Sequence, residues 1–469
     1  MPVPPRLRRL LAAALPALLA VLITACSDAA YPNSVFTRHT EFNRDIGYLF
    51  KVLIWLGSIV FVFVEGILLY TIFRFRRRSE NERPEHVHGN TTLEILWTII
   101  PALILAFIAV PTVQTIFKTQ AKAKSDALQV EVIGHQWWWE FRYPQYKITT
   151  ANELYLPVGR TVNFALRTQD VLHSFWIPQM GGKRDLISNH TNYLWFTPDS
   201  VGEQAWNGTC AEYCGASHAN MHFRMFSVSP ANFEAWAAHQ QTPAAFGAVA
   251  PASAAKVDSA LRSNPTQSAA QQAQIASMGT TTTGPAGTVA APNQPVGGTG
   301  APTPAHDMSA MAGMNVSTGA GATVQQAGYV SFPRERIPVH VVPHTPIPSG
   351  LAYNEAVHGD PERGRDMLTK GAGGCLGCHM ISGNPSMMGV VGPNLTHVGS
   401  RSTIAGGIYP NDTKHLALWI KNSRRMKPGV IMPTLGAGQY DPTMKITVPK
   451  TGLSDEQIAD IVAYLQALK

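Results

Sequence analysis

The sequence predicts a multi-domain chain: a two-helix transmembrane hairpin, a small β-sandwich or barrel, a flexible linker and a mostly α-helical domain. Three observations predict it. Two long apolar runs lie near the N-terminus, short β-like runs punctuated by Gly, Pro and Asn come next, and the C-terminal part carries apolar positions at helical spacing. At 469 residues the chain exceeds the ~100–200 of a single domain. Only 14% of residues are charged and 45% are apolar, so the missing charge is concentrated in segments of different kinds. Segments ending at residues 117, 240, 345 and 469 carry +3, 0, +1 and +3 of the total +7. None is basic enough to suggest nucleic acid as a partner.

Residues 1–26 read as an export signal: Arg6, Arg8 and Arg9, an apolar stretch from Leu10 to Ile23, then Thr24-Ala25-Cys26. The run ending at Cys26 resembles a bacterial lipobox, which would make Cys26 a lipidated first residue. The hairpin, residues 40–117, holds the apolar runs Tyr48 to Phe73 and Ile95 to Phe117, each long enough to cross a ~30 Å hydrocarbon layer. Arg74, Arg76, Arg77, Arg78 and Arg83 between them make that connection cytoplasmic and put residues 118–469 on the outer face of a bacterial inner membrane. Glu65 interrupts the first run, where a carboxyl needs protein, water or a partner beside it. Glu94 sits at the cytoplasmic edge of the second and on its own reads as an interfacial anchor.

In residues 118–240, alternation from Leu128 to Tyr143 and further runs at Arg160 to Leu166, Tyr193 to Phe196 and Phe223 to Val228 predict the β-domain. Residues 241–345 are the linker. Within it, positions 241–328 contain one aromatic, Phe246, and four charged residues, too little to offset the entropy of ordering. Such a tether, ~50 Å across as a random coil, would let the C-terminal domain swing over the β-domain. It includes His306, Met308, Met311 and Met314, a soft donor run suited to Cu(I) or simply part of a linker. Residues 346–469 form the helical domain, with helical spacing over Glu355 to Lys370 and Ser454 to Leu468 and a capping box from Ser454 to Gln457.

The five cysteines are Cys26 and two close pairs, an arrangement that favours metal or cofactor chemistry over a disulfide framework. Cys210-Ala-Glu212-Tyr-Cys214-Gly-Ala-Ser-His218-Ala-Asn-Met221 sets two thiols, an imidazole and a thioether within twelve residues. A further, exposed candidate is His173 in Asp170-Val-Leu-His-Ser-Phe-Trp176. A disulfide or a zinc site are alternatives, but soft copper centres are the ones that use Cys, His and Met together. Cys375-Leu-Gly-Cys378-His379 has the form that attaches haem c covalently, with a zinc knuckle as the alternative.

The two N-terminal helices, Gly134-His-Gln-Trp137-Trp-Trp139, the His173 motif and the Cys210–Cys214 loop together resemble subunit II of haem-copper cytochrome c oxidase over residues 40–235. The resemblance implies a cupredoxin-like β-barrel holding a binuclear copper A centre. Its ligands would be His173, Cys210, the Glu212 carbonyl, Cys214, His218 and Met221, and the Glu212 carboxylate would reach a Mg²⁺ shared with subunit I. It also implies electron entry through Trp137. Glu94-Ile-Leu-Trp97-Thr98 matches the family's proton-channel mouth. After Asp185 the chain reads Leu186-Ile-Ser-Asn-His190 where many members have Ile-Pro-Gly-Arg, which leaves subunit I contacts there open.

The C-terminal domain resembles a class I cytochrome c of the kind fused to oxidases. Met432 in Lys427-Pro-Gly-Val-Ile-Met432-Pro433 matches the distal iron ligand, with Met426 competing, and the Pro393 carbonyl would orient His379. The whole implies subunit II of a caa3-type oxidase, partnered by subunits I and III and fed by cytochrome c or a membrane quinol–cytochrome c reductase. A nitric oxide reductase subunit and a stand-alone electron carrier or copper-binding protein are the rival readings.

Overall fold

The structure, a computed structural model, describes residues 33–77, 79, 88–120, 126–199, 202–244 and 329–469. The expected signal with Cys26, the cytoplasmic Arg78 and Arg83, and the His306, Met308, Met311 and Met314 run lie outside the described residues.

Two long helices come first, α1 (Glu41–Arg74) and α2 (Thr91–Gln120). At 34 and 30 residues they span roughly 51 and 45 Å, more than a bilayer core. Trp55, Phe61, Phe63, Phe107 and Phe117 are all exposed along them, a distribution that only lipid or a partner makes favourable. The chain is thus a multi-pass inner-membrane protein with its extramembranous domains on the periplasmic side. The Thr40 hydroxyl caps α1 by accepting from Asn43 N at 3.1 Å and donates to the Met180 carbonyl, so the first turn is fastened to the domain above. Phe42 and Asn43 are buried in that domain, and Lys118 pairs with Asp45 at 2.6 Å across the outer ends of the two helices.

The β-domain has ten strands: β1 (Leu128–His135), β2 (Trp138–Tyr143), β3 (Ile148–Ala151), β4 (Glu153–Pro157), β5 (Val162–Thr168), β6 (His173–Trp176), β7 (Arg184–Leu186), β8 (Asn192–Phe196), β9 (Gln204–Cys210) and β10 (His222–Val228). They form two five-stranded sheets, ordered β3-β2-β1-β5-β8 and β4-β10-β9-β6-β7. Pairs β1–β5 and β4–β10 are parallel and the others antiparallel. The expected run from Leu128 to Tyr143 is two strands folded back at Gln136–Trp137. The chain changes sheets at Asn152, whose φ of +59° suits Asn and whose side-chain carbonyl accepts from Trp139 N at 2.9 Å.

Between the sheets lies an aromatic core, with Phe175 stacked on Phe223 at 5.0 Å and Trp139 against both. Gly208 is required there, because a Cβ would fall 2.1 Å from the Phe223 ring. Helix α3 (Pro230–Gln240) closes one end by packing Phe233 and Trp236 on Tyr143.

The helical domain contains α4 (Pro361–Thr369), α5 (Thr413–Lys421), α6 (Ser423–Met426) and α7 (Asp455–Ala467). Helix α4 starts later than the expected Glu355, because Asp360 caps it and Pro361 takes its first turn. The Ser454–Gln457 capping box is present. Helices α4 and α7 cross at Gly364, where a Cβ would sit 2.0 Å from Asp460 O. Composition places residues 329–345 with the linker, yet Tyr329, Phe332 and Val341 are buried in the β-domain's core cluster. The helical domain also packs directly on the β-domain, with Asn394 Nδ2 donating to Thr149 O and His397 Nε2 to Thr242 O.

Candidate metal centre and second cofactor site

Three β-domain elements converge at the end of the second sheet. Strand β9 delivers Cys210, β6 delivers His173 beside it, and the loop from Cys210 returns through a short 3₁₀ turn at His218–Asn220 to Met221, just before β10. Cys210 N donates to Met221 O at 3.0 Å and Ala211 N to Ser174 O at 2.9 Å, so backbone bonds close the loop. The two thiols stand 3.8 Å apart, well beyond the ~2.05 Å of a disulfide.

Around this pair lie His173 Nδ1 at 3.9 Å from Cys210 Sγ and the Glu212 carbonyl at 3.3 Å from it. His218 Nδ1 is 3.6 Å and Met221 Sδ 3.9 Å from Cys214 Sγ. The six donors singled out from the sequence are thus brought together, and His173, Cys210 and Cys214 form a compact metal-binding cluster. His173 is fully buried on a strand, not exposed as its loop-like surroundings suggest.

Electrostatics favour a thiolate. The Cys214 thiol and His173 pull Cys210 well below its ordinary value against the effect of burial, while Cys210 and burial push Cys214 up. Asp170, which carried no role in the sequence motif, orients the cluster. Its carboxylate meets His173 Nε2 at 2.8 Å and accepts from Gln136 N at 2.6 Å, leaving His173 Nδ1 for the sulfurs. Burial raises the Asp170 pKa, but these bonds outweigh it and hold the carboxyl below the usual range.

The three consecutive tryptophans have three environments. Trp139 is core, and Trp138 stacks on His135 with centroids 4.1 Å apart. Trp137 covers the cysteine loop, its Nε1 donating to Cys214 O at 3.0 Å. It is not a free surface residue: Lys427 of the helical domain donates to its carbonyl at 2.7 Å and Gly429 lies against its ring. Lys427 is fully buried, which lowers its pKa to about 7 against the opposing pull of Cys214.

In the helical domain, Cys375 and Cys378 are free thiols on and just after a 3₁₀ turn at Ala372–Gly377. His379 Nδ1 donates to the Pro393 carbonyl at 2.8 Å, which leaves Nε2 as the ring's free donor atom. Gly392 keeps that side open, since a Cβ there would fall 2.5 Å from His379 Cε1. Arg424 donates to the Val430 and Ile431 carbonyls and pairs with buried Asp441 at 2.9 Å, holding the half-buried Met432 loop from within. Met426 is 3% exposed, enclosed in the core at the end of α6. Exposed Met388, Val390, Val391 and Ile431 supply apolar surface on the connecting loops. A covalently attached porphyrin fits this chemistry.

Along the hairpin, Glu94 is exposed in the first turn of α2 and Glu65 is half-buried on α1. The loop Leu186–His190 is a tight turn with Asn189 at φ +59°, a conformation Asn tolerates.

Three family descriptions match the chain: cytochrome c oxidase subunit II, transmembrane domain, over residues 40–115; the periplasmic domain of the same subunit over 147–228; and cytochrome c over 362–469. Cytochrome c oxidase subunit 2 of Alkalihalophilus pseudofirmus is 27% identical over 88% of this chain and 85% of its own length. That of Bacillus sp. (strain PS3) is 41% identical over 36% of this chain, which spans about half (51%) of that relative's length. Quinol oxidase subunit 2 of Bacillus subtilis is 33% identical over 41% of this chain and 62% of its own.

Proposed function

Because this chain belongs to the subunit II family of bacterial cytochrome c and quinol oxidases, with a cytochrome c domain fused at its C-terminus, we propose that it passes electrons from haem c through copper A to subunit I. There O2 is reduced to water and protons are pumped; the catalytic site is on another chain. The observation that carries the reading is the ring of further donors around the Cys210–Cys214 pair. Thiolate, imidazole and thioether together suit a soft binuclear copper centre in a cupredoxin-like domain.

His173, Cys210, the Glu212 carbonyl, Cys214, His218 and Met221 would hold the copper pair, which when bound accepts and donates one electron at a time. The closed loop buries His173, both thiols and Met221, while Glu212 and His218 stay half-buried at its rim. Asp170 fixes the His173 ring, and Trp137 bridges from the domain surface to the Cys214 carbonyl. In the class I cytochrome c domain, Cys375 and Cys378 would anchor the porphyrin, His379 and Met432 would hold its iron, and Pro393 would orient His379.

The Glu212 carboxylate would reach a Mg²⁺ shared with subunit I, and Glu94 would mark the mouth of a proton channel there. Subunit III and a cytochrome c or quinol–cytochrome c reductase complete the expected partners. The intact copper set favours cytochrome c over quinol as the electron source.

Metal and haem analysis of the detergent-purified complex tests the reading. Two copper ions and one covalent haem in this chain, with a haem-bearing partner that turns over O2 and not NO, are expected. Absence of the partner would favour a stand-alone carrier, and turnover of NO instead would favour a reductase.

A further inference from the structure

The contact between the β-domain and the helical domain contains three buried ionisable side chains that the electron path does not use. Glu153 opens β4 at 3% exposure, and its carboxylate accepts from Ser402 N at 2.6 Å, from the Ser402 hydroxyl and from Thr403 N. Arg224 on β10 is 5% exposed; it donates to Gly407 O at 2.9 Å and to Val341 O at 2.8 Å. Lys427 returns the contact from the helical side, donating to Trp137 O at 2.7 Å and to Ala405 O at 2.9 Å.

All three converge on one turn, Ser402–Gly407. Ala405, Gly406 and Gly407 are left-handed in succession, with φ of 57°, 75° and 79°, and their carbonyls accept in turn from Lys427, His222 N and Arg224. Any side chain would break the fit: a Cβ on Gly406 would fall 2.5 Å from Lys427 Nζ, and one on Gly407 3.1 Å from the His222 backbone. Two residues past Lys427, Gly429 lets the Met432 loop lie on Trp137, where a Cβ would be 3.0 Å from the indole. Ser217 beside the cysteine loop donates to the Pro428 carbonyl.

Buried ionisable groups add little net attraction because each loses its water, but any other pose would part them from the amides and carbonyls that satisfy them here. They therefore select a single pose, while the apolar strap of Tyr329, Phe332 and Val341 supplies adhesion. We propose that Glu153, Arg224 and Lys427 form a clasp on the Ser402–Gly407 turn that parks the helical domain over Trp137, reserving that tryptophan for this chain's own haem and closing it to a soluble electron donor. The inference rests on the electron-transfer reading above. The clasp makes and breaks no covalent bond, and Lys427 is a positioning residue.

The test uses the full complex with a specific protease site inserted after Gly297. After cleavage, the fragment carrying residues 329–469 should remain with the complex through gel filtration. Reduced soluble cytochrome c should still reduce haem before copper. In the Lys427→Met and Glu153→Ala variants, haem and copper contents should be unchanged, transfer from haem to copper should slow roughly tenfold or more, and a copper-reduction phase independent of haem should appear.

Loss of the fragment from the cleaved wild type, or variants with unaltered transfer and reduction order, would overturn the clasp. A complex lacking haem or copper before cleavage would instead overturn the underlying function, so the two failures are distinguishable.

Discussion

The two periplasmic domains prepare their cofactor sites in opposite ways. In the β-domain the donors are set by strand ladders: His173 lies on β6, Cys210 ends β9, and Met221 is tied back to Cys210 before β10 begins. The cluster is already assembled from protein alone. In the helical domain the cysteines occupy a turn with left-handed Gly373 and Gly374, inside a long connection between α4 and α5 with little regular structure. Val390 is 78% exposed there and Met388 66%, apolar surface left open among the described residues. The difference teaches that one domain presents a preassembled metal-binding cluster, whereas on the proposed reading the other leaves apolar surface that a porphyrin would cover.

The largest expected effect tests that asymmetry directly. Cys375→Ser with Cys378→Ser should abolish haem staining and leave residues 346–469 protease-sensitive; a protease-resistant, haem-free domain would break the comparison. Cys214→Ser should remove the copper A electron paramagnetic resonance signal entirely yet cost the β-domain only about 1–2 kcal/mol, measured by thermal melting with haem c intact. Unfolding of the β-domain would show its socket to depend on metal as well.

Next comes the buried Arg424–Asp441 pair, the helical domain's own substitute for a strand ladder. Arg424→Met should destabilise that domain by about 3–5 kcal/mol by stranding Asp441, and should weaken the thioether-to-iron absorption of the oxidised haem. Burial raises the Asp441 pKa, but the Met444 amide and Arg424 outweigh it and hold the carboxyl below its ordinary value. A depressed carboxyl stabilises the fold above its unfolded pKa of ~3.9 and loses that contribution as pH falls through the lower folded value. Acid titration of wild type against Asp441→Asn should show that loss in the wild type only. The smallest effect is Asp170→Asn, which should keep the fold and lower copper affinity roughly 10–100-fold by freeing the His173 ring, read by chelator competition.

The chemistry was legible in the sequence because metal-binding residues come at constrained spacings. Cys210 to Met221 and Cys375 to His379 are continuous segments, and the structure gathers the former with His173. Much of the scaffold was hidden. Strands β3 and β4 escape periodicity because β4 is buried on both faces and the chain changes sheets between them at Asn152.

The turn of the chain at Gln136–Trp137 is likewise invisible in a run that alternates through it. Contacts between the domains carried no pattern at all. Glu153 and Arg224 counted as two cancelling charges in a neutral segment, and only folding shows both in contact with the helical domain.

The braced base of the hairpin has an architectural consequence. Thr40, Phe42 and Asn43 seat the start of α1 in the β-domain just before the apolar run opens at Tyr48, while Arg184 holds Gln120 at the end of α2 by a 3.1 Å bond. With these two footings the β-domain is braced on the outer ends of both helices. Whatever packs on α1 and α2 within the lipid would therefore also set the heading of the Cys210–Met221 loop.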